Sequence, residues 1–494
     1  MKIFVALFSV VLLCSSCSKW LDVKPQSQIS ASDLFDSQEG FEEALNGVYS
    51  RCSQPPAYGD ELSFGMLDVL AQNYYMVPND YPHYLQTSLY NYQDIYFVSR
   101  KDTIWGSLYN AIANCNLILG NIETGKKLLT STDYGIIKGE ALAMRAYLHF
   151  DLLRMFAPSF ANNPAAPAIP YVVDFSDKVT PLSTVSAVLT DVLQDLNNAK
   201  ALLKPVDPIL SPAYIIDYPW NSTSPSAPPT TSTEQSNPSL FLQNRRNRLN
   251  YYAVCGELAR AYLYMNKTDS ALSNAQEVIN SNKFPWTAVG DFTNPDPQNV
   301  DRILYKELLF SWYIPTLVTT LQNRFNQNVG LYLDQAGGSN LYQTSGVGGA
   351  DLRYKEWFNP ATNSDGSWLY LVKYSRDVDT NRHPLLAPAL RLSEVYYIAA
   401  ECSYDANPTQ AMAYVDSVRF HRGIPDSLVS AGKQDFLNQL VGEARKELYG
   451  EGQIFYMYKR LGIGLTTPSG IMEPATNNIF VLPLPNNEIE YGQR

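Results

Sequence analysis

Two clusters of aromatic and polar residues stand out as able to hold a ligand with both an apolar face and hydroxyl groups. The first is Asn73-Tyr74-Tyr75-Met76-Val77-Pro78-Asn79-Asp80-Tyr81-Pro82-His83-Tyr84, with four tyrosines among amide and carboxylate side chains. The second is Ser311-Trp312-Tyr313, at the end of a strand-like run just before Pro315, and Tyr218 with Trp220 forms a smaller third group. A ring can pack on the C–H face of a sugar while Asn, Asp or Arg bonds its hydroxyls, and peptides suit such a surface nearly as well. Tyr74, Tyr75, Tyr81, Tyr84, Trp312 and Tyr313 are therefore candidate ring contacts, with Asn79 and Asp80 as hydrogen-bonding groups. On that reading Trp312→Ala weakens binding and leaves the fold intact. Against it, any single aromatic can simply be packing helices together.

Catalytic patterns are absent. His83, His149, His383 and His421 are isolated in sequence, and His149 sits in an apolar helical stretch as a core residue would. No H-E-x-x-H, G-x-S-x-G or phosphate-cradling glycine loop is present. Asp377-Val378-Asp379-Thr380-Asn381 begins like a calcium loop, but Arg382 takes the glycine position and Pro388 the position of the bidentate glutamate. No metal or other cofactor is expected. A pair of opposed carboxylates would suffice for glycoside hydrolysis, and 48 acidic residues leave room for one. The net charge of −11 excludes a phosphate backbone as the natural partner, so no nucleic acid is expected.

The N-terminus addresses the chain to a membrane. Lys2 precedes a short apolar run, Ile3 to Leu13, which is the length of a signal-peptide core and too short to span a bilayer. It ends in Leu13-Cys14-Ser15-Ser16-Cys17, where small residues suit cleavage after residue 16 and leave Cys17 for lipid attachment. Several acyl chains hold a protein stably where one does not. Cys52, Cys115, Cys255 and Cys402 are too widely spaced for a metal site; they can pair in three ways, but apolar helical surroundings favour buried free thiols.

Helical periodicity dominates the elements that must position these groups. Ser37 caps a helix with Phe41, Ala44, Leu45, Val48 and Cys52 on its buried face. Further helices are expected over Thr103–Ile122, Tyr134–Met155 (closed by Ala157-Pro158) and Val185–Leu203 (closed by Pro205). Residues 205–240 hold eight prolines among many Ser and Thr and read as a surface insertion, or else as a linker between two domains. Leu258, Ala259, Tyr262, Ala271, Ala275 and Val278 lie at tetratricopeptide spacing, and 140 residues on the same spacing recurs as Ile398, Ala399, Cys402, Ala411, Val415 and Val418. Asn266 to Asp269 and Asp405 to Pro408 supply the turns. Between the repeats, residues 284–385 are rich in turn residues and aromatics, with strand-like pieces at Arg302–Phe310 and Trp368–Tyr374.

Several blocks in order resemble the SusD/RagB nutrient-binding lipoproteins of Bacteroidetes. They are Cys17-Ser18-Lys19-Trp20-Leu21-Asp22-Val23-Lys24-Pro25, Leu45-Asn46-Gly47-Val48-Tyr49, Arg145 to Leu152, Arg391 to Tyr396, Glu447-Leu448-Tyr449-Gly450-Glu451-Gly452 and Phe480 to Ile489. The resemblance implies a mainly α fold: a tetratricopeptide-like helical scaffold with an irregular, loop-rich ligand-binding half. It implies one domain over 17–494, with an N-terminal part to about 204 and a C-terminal part from about 241. It also implies a non-catalytic protein on the outer face of the outer membrane, covering a SusC-like TonB-dependent transporter, with an oligosaccharide as cargo or a peptide in the RagB branch. Ligand loops in the family lie after the first helices and in the irregular middle. Arg145, Arg391 and Glu447 are expected to form ion pairs between helices.

Overall fold

The computed structural model describes residues 31–76, 82–219, 230–325, 331–363, 366–375, 381–467 and 470–492. Cys17, Asn79, Asp80, Tyr81 and Trp220 lie outside the described residues, as do Asp377 and Asp379 of the calcium-like run.

The first helix, α1 (Gln38–Cys52), starts where Ser37 accepts a hydrogen bond from the Gly40 amide, and its buried side is Phe41, Leu45, Val48 and Cys52, with Ala44 half-buried. α2 (Ile95–Gly125) is longer than its apolar pattern indicates, because Asp94 caps it through the Tyr96 and Phe97 amides while its first residues, Ile95 and Tyr96, stand exposed. α3 (Ser131–Phe156) is capped by Thr130 and ends at Ala157, which is extended as the residue before a proline must be. It is the central helix, buried continuously from Gly139 to Phe156. α4 (Val185–Leu203) has the expected bounds, set by a Thr184 cap and by Pro205 just beyond its end. A Cβ on Gly139 would lie 2.9 Å from Leu203, so the close α3–α4 approach requires glycine there.

The two repeat copies form antiparallel pairs, α5 (Tyr251–Tyr264) with α6 (Thr268–Asn280), and later Leu392–Ser403 with Pro408–His421. Between them come β1 (Leu308–Tyr313), α7 (Leu317–Phe325), β2 (Tyr332–Asp334), β3 (Phe358–Asn363), β4 (Gly366–Leu371) and β5 (Leu386–Arg391). α8 (Leu392–Ser403), α9 (Pro408–His421), α10 (Lys433–Glu447) and α11 (Ile454–Leu461) follow. The repeat register holds to the side chain. Leu258, Ala259, Ala271, Ala275 and Val278 are buried, as are Ile398, Ala399, Ala411, Val415 and Val418, while the matching Tyr262 and Cys402 are both half-buried. Asn266 turns the first pair in a left-handed conformation, and Asn407 caps α9 ahead of Pro408. α6 packs against α8, so the two copies stack into one helical array despite the hundred residues between them. The fold is mainly α, as expected.

β1 pairs antiparallel with β5, and β2, β4 and β3 form a separate antiparallel sheet with β4 at its centre. Both strands in the middle region are displaced from their expected places. The first starts at Leu308 rather than Arg302, because left-handed Leu304 and a 3₁₀ turn at Tyr305–Glu307 precede it; the second is Gly366–Leu371. The Pro/Ser-rich segment also departs from a surface insertion. Ile209, Tyr214, Ile216 and Tyr218 are buried, and its Asp207 and Glu234 pair with Arg245 and Arg246 at 3.0 and 2.6 Å. Ion pairs and tyrosines anchor a segment whose apolar content is low.

The expected ion pairs are present and buried. Arg145 makes a two-pronged contact with Asp195 at 2.7 and 2.8 Å, joining α3 to α4. Glu447 at the end of α10 receives Arg391 at 2.5 Å, Arg422 at 2.8 Å and Arg353 at 3.1 Å. Arg422 continues to Glu307 at 2.5 Å, Arg353 to Asp351 at 2.7 Å, and Arg391 to Glu451 at 2.7 Å. Burial alone would raise the Glu447 carboxyl, but Arg422, Arg391 and Arg353 hold it well below the usual range. Cys52, Cys115 and Cys255 are buried free thiols and Cys402 a half-buried one. No helix among the described residues is long and apolar enough to cross a membrane.

Candidate functional site

The site-forming surface begins on α1. Glu42, Asn46, Tyr49, Ser50 and Ser53 recur at three- and four-residue spacing, so they share the face opposite Phe41, Leu45 and Val48. Facing them are the end of β1 and two 3₁₀ turns, Leu240–Leu242 and Arg245–Asn247. Together they enclose a groove of about 520 Å³. Strand alternation sends Trp312 inward, 1 % exposed, and Tyr313 outward, 52 % exposed. Amides border the same space: Asn46, Gln54, Gln243, Asn244 and Asn247.

Trp312 lies flat on Tyr58, ring centroids 4.3 Å apart and planes 9° from parallel, with Phe310 edge-on at 4.6 Å. Its indole nitrogen is buried and has no hydrogen-bond partner. Arg248 closes the groove's inner wall. Its Nε donates to Glu140 at 2.8 Å and its Nη1 to Asn46 Oδ1 at 2.7 Å, while the guanidinium lies between the Phe241 and Tyr49 rings. Tyr49 donates to the same Glu140 carboxylate at 2.8 Å and accepts from the Leu249 amide at 2.9 Å. Burial would raise the Glu140 carboxyl; Arg248 and Arg245 keep it below the usual range, so it is ionised. The arrangement offers a flat aromatic rim, a ring of neutral donors and acceptors and, among the described residues, one lining carboxylate, Glu42.

The tyrosine run divides differently from the expectation of a single exposed aromatic face. Tyr74 is buried, its hydroxyl donating to the Phe64 carbonyl at 2.8 Å and its ring against Phe325 and Tyr449. Tyr84 is buried too, donating to Glu61 at 2.7 Å beneath the Arg100 guanidinium. Neither presents a ring face to solvent, because the chain folds back and each hydroxyl finds an internal acceptor. Tyr75 is half-buried. Its amide donates to Tyr332 across a β-bridge at 2.6 Å, and its ring meets Trp368 at 5.2 Å, over a small cluster with Tyr332 and Tyr370 that is separate from the main core. Tyr75 and Tyr313 thus belong to different surfaces, one on the three-stranded sheet and one on the groove. Tyr218 is likewise interior, bonded to Asp301 at 2.8 Å and covered by Arg382.

Asn46, Tyr49, Phe241, Asn247 and Arg248 join the groove without having been singled out as ligand residues. Asn46 and Tyr49 fall in the Leu45–Tyr49 block, where the helical spacing of the polar face was the available signal. Elsewhere, His149 is a core residue: its Nδ1 donates to the Arg145 carbonyl, its Nε2 accepts from the Val172 amide, and burial pushes its pKa down to about 3. No group of three or more His, Cys, Asp or Glu suited to a metal ion occurs among the described residues.

Comparison with known proteins agrees with this architecture. A family model described as starch-binding associating with outer membrane matches residues 19–208, and the SusD family model matches residues 314–490. A SusD-like protein of Formosa agariphila is 24 % identical, the alignment covering 97 % of this chain and 95 % of the relative. A SusD superfamily protein of Bacteroides thetaiotaomicron superposes with a TM-score of 0.70 at 22 % identity, covering 92 % of this chain and 98 % of the other. A SusD-like carbohydrate binding protein of Bacteroides vulgatus gives 0.71 at 17 % identity, covering 92 % and 97 %. The helical array, the irregular middle and the two family matches together show that this chain belongs to the SusD/RagB family.

Proposed function

We propose that the protein is a non-catalytic lipoprotein of the cell outer membrane, anchored through Cys17 and facing the exterior. It binds oligosaccharides and passes them to a SusC-like TonB-dependent transporter. The observation that carries the binding role is the groove beside Tyr313: an exposed ring at a space of about 520 Å³ bordered by amides. A sugar needs an apolar platform for its C–H face and neutral groups that both donate and accept for its hydroxyls, and the groove provides both. Glu42 is the groove's one lining carboxylate among the described residues, whereas glycoside hydrolysis uses two in opposition. The match to a starch-binding family and the likeness to a carbohydrate binding protein of Bacteroides vulgatus point the same way.

Calorimetry of the purified mature protein against panels of oligosaccharides and peptides tests this reading. Binding of at least one oligosaccharide without release of reducing sugar is the expected result. Binding confined to peptides would replace the cargo, and release of reducing sugar would restore an enzyme.

A further inference from the structure

The charge census of the groove narrows its ligand. We propose that it takes an uncharged sugar, not a chain bearing uronate or sulfate groups; this rests on the oligosaccharide reading above. Two kinds of observation lead there.

The first is that every buried charge at the groove's inner wall is already balanced within the protein. Arg248 pairs with Glu140 at 2.8 Å, Glu140 also receives Arg245 at 2.6 Å, and Arg245 pairs with Asp207 at 3.0 Å. Two guanidinium groups therefore meet two carboxylates, at side chains at most 10 % exposed. A ligand carboxylate entering beside Arg248 would upset that balance. It would also face Glu42, the one acidic side chain lining the groove among the described residues, which accepts from the neutral Gln38 amide at 2.9 Å. Like charges sharing a partly desolvated space repel, and among the described residues the one cation lining the groove, Arg248, is already paired with Glu140.

The second is that two buried donors remain for a neutral acceptor. Arg248 Nη2 and Trp312 Nε1 are both buried without a hydrogen-bond partner, on groove-lining side chains nine-tenths or more buried. Buried donors favour an acceptor, and a sugar hydroxyl or ring oxygen satisfies one without adding charge. Gln54, Gln243, Asn244 and Asn247 add uncharged groups of both polarities around the rest of the rim.

The test is a titration of the mature protein with maltoheptaose, cellohexaose, mannohexaose and xylohexaose. Oligogalacturonate, oligoalginate and chondroitin sulfate fragments form the acidic arm. The expected outcome is binding within the uncharged set only, changing less than twofold in Kd between 50 and 500 mM NaCl. Tyr313→Ala is expected to bind the uncharged ligand at least fivefold more weakly. Acidic fragments that bind, weaken with salt and tighten severalfold in Glu42→Gln would overturn the uncharged ligand and leave the oligosaccharide reading standing. Binding of peptides alone would overturn that reading itself. An uncharged ligand unaffected by Tyr313→Ala would remove the groove as its seat.

Discussion

The junction around Glu447 and the groove beside Tyr313 are built from opposite materials. At the junction, Glu447, Arg391, Arg422, Arg353 and Glu307 are fully buried, and each charge meets at least one partner of opposite sign. At the groove, the open surface is aromatic and amide, and the lining cation Arg248 is already paired with Glu140. The contrast separates two tasks. A buried network of directional contacts fixes how α8, α10 and the strands meet, since each ion is costly once its partner is displaced. A surface that must exchange water for ligand gains from neutral groups, whose desolvation costs less.

The contrast is broken most severely from the scaffold side. Glu447→Ala leaves three buried guanidinium groups short of a partner and is expected to lower stability by about 3–5 kcal/mol. Chemical denaturation checks this; an unchanged midpoint would mean the network does not hold the junction. Trp312→Ala is the next largest. The sequence alone suggests a binding defect with an intact fold, but the ring is stacked on Tyr58 and 1 % exposed, so a loss of roughly 3 kcal/mol is expected alongside any change in affinity. A thermal melt equal to wild type would return Trp312 to the binding surface proper.

His149 adds a pH signature to the scaffold. Its folded pKa of about 3 lies below the ordinary value near 6.5, so the unfolded chain binds the proton first as pH falls. Its contribution is complete above pH 6.5 and is lost progressively as pH falls from there toward 3. By pH 5 the wild type is expected to have lost about 2 kcal/mol relative to His149→Gln, measured as the difference in their denaturation free energies between pH 7 and 5. Parallel profiles would show that the fold leaves the proton affinity of His149 unchanged, contrary to its burial. Smallest of these effects is Gln54→Ala at the groove rim, expected to weaken ligand binding roughly two- to threefold by loss of one exposed hydrogen bond and to leave stability within about 0.5 kcal/mol. A stability loss beyond that would blur the separation of scaffold from groove.

The two regions were not equally legible in the sequence. The scaffold could be read because its signals are local: a Ser37 cap opens α1, Pro205 closes α4, and small residues at fixed spacing mark both repeat copies. Residues 205–240 misled, since composition does not reveal that Asp207 and Glu234 find Arg245 and Arg246. Tyr74 and Tyr84 misled for a related reason: a tyrosine whose hydroxyl has an internal acceptor packs as well as a phenylalanine, and that acceptor is set by tertiary structure. Of the groove, only Trp312 and Tyr313 were accessible beforehand. Asn46, Tyr49, Phe241 and Arg248 come from segments about two hundred residues apart, and no local pattern joins them.

The central claim is that Tyr313 and its groove bind an oligosaccharide on a scaffold that holds itself together independently. Side-by-side calorimetric titration of wild type and Tyr313→Ala with the best-bound oligosaccharide, paired with a thermal melt of each, tests it most directly. Loss of an exposed stacking ring is expected to weaken binding roughly tenfold, about 1.4 kcal/mol, with the melting temperature unchanged. Equal affinity in the two proteins would contradict the account.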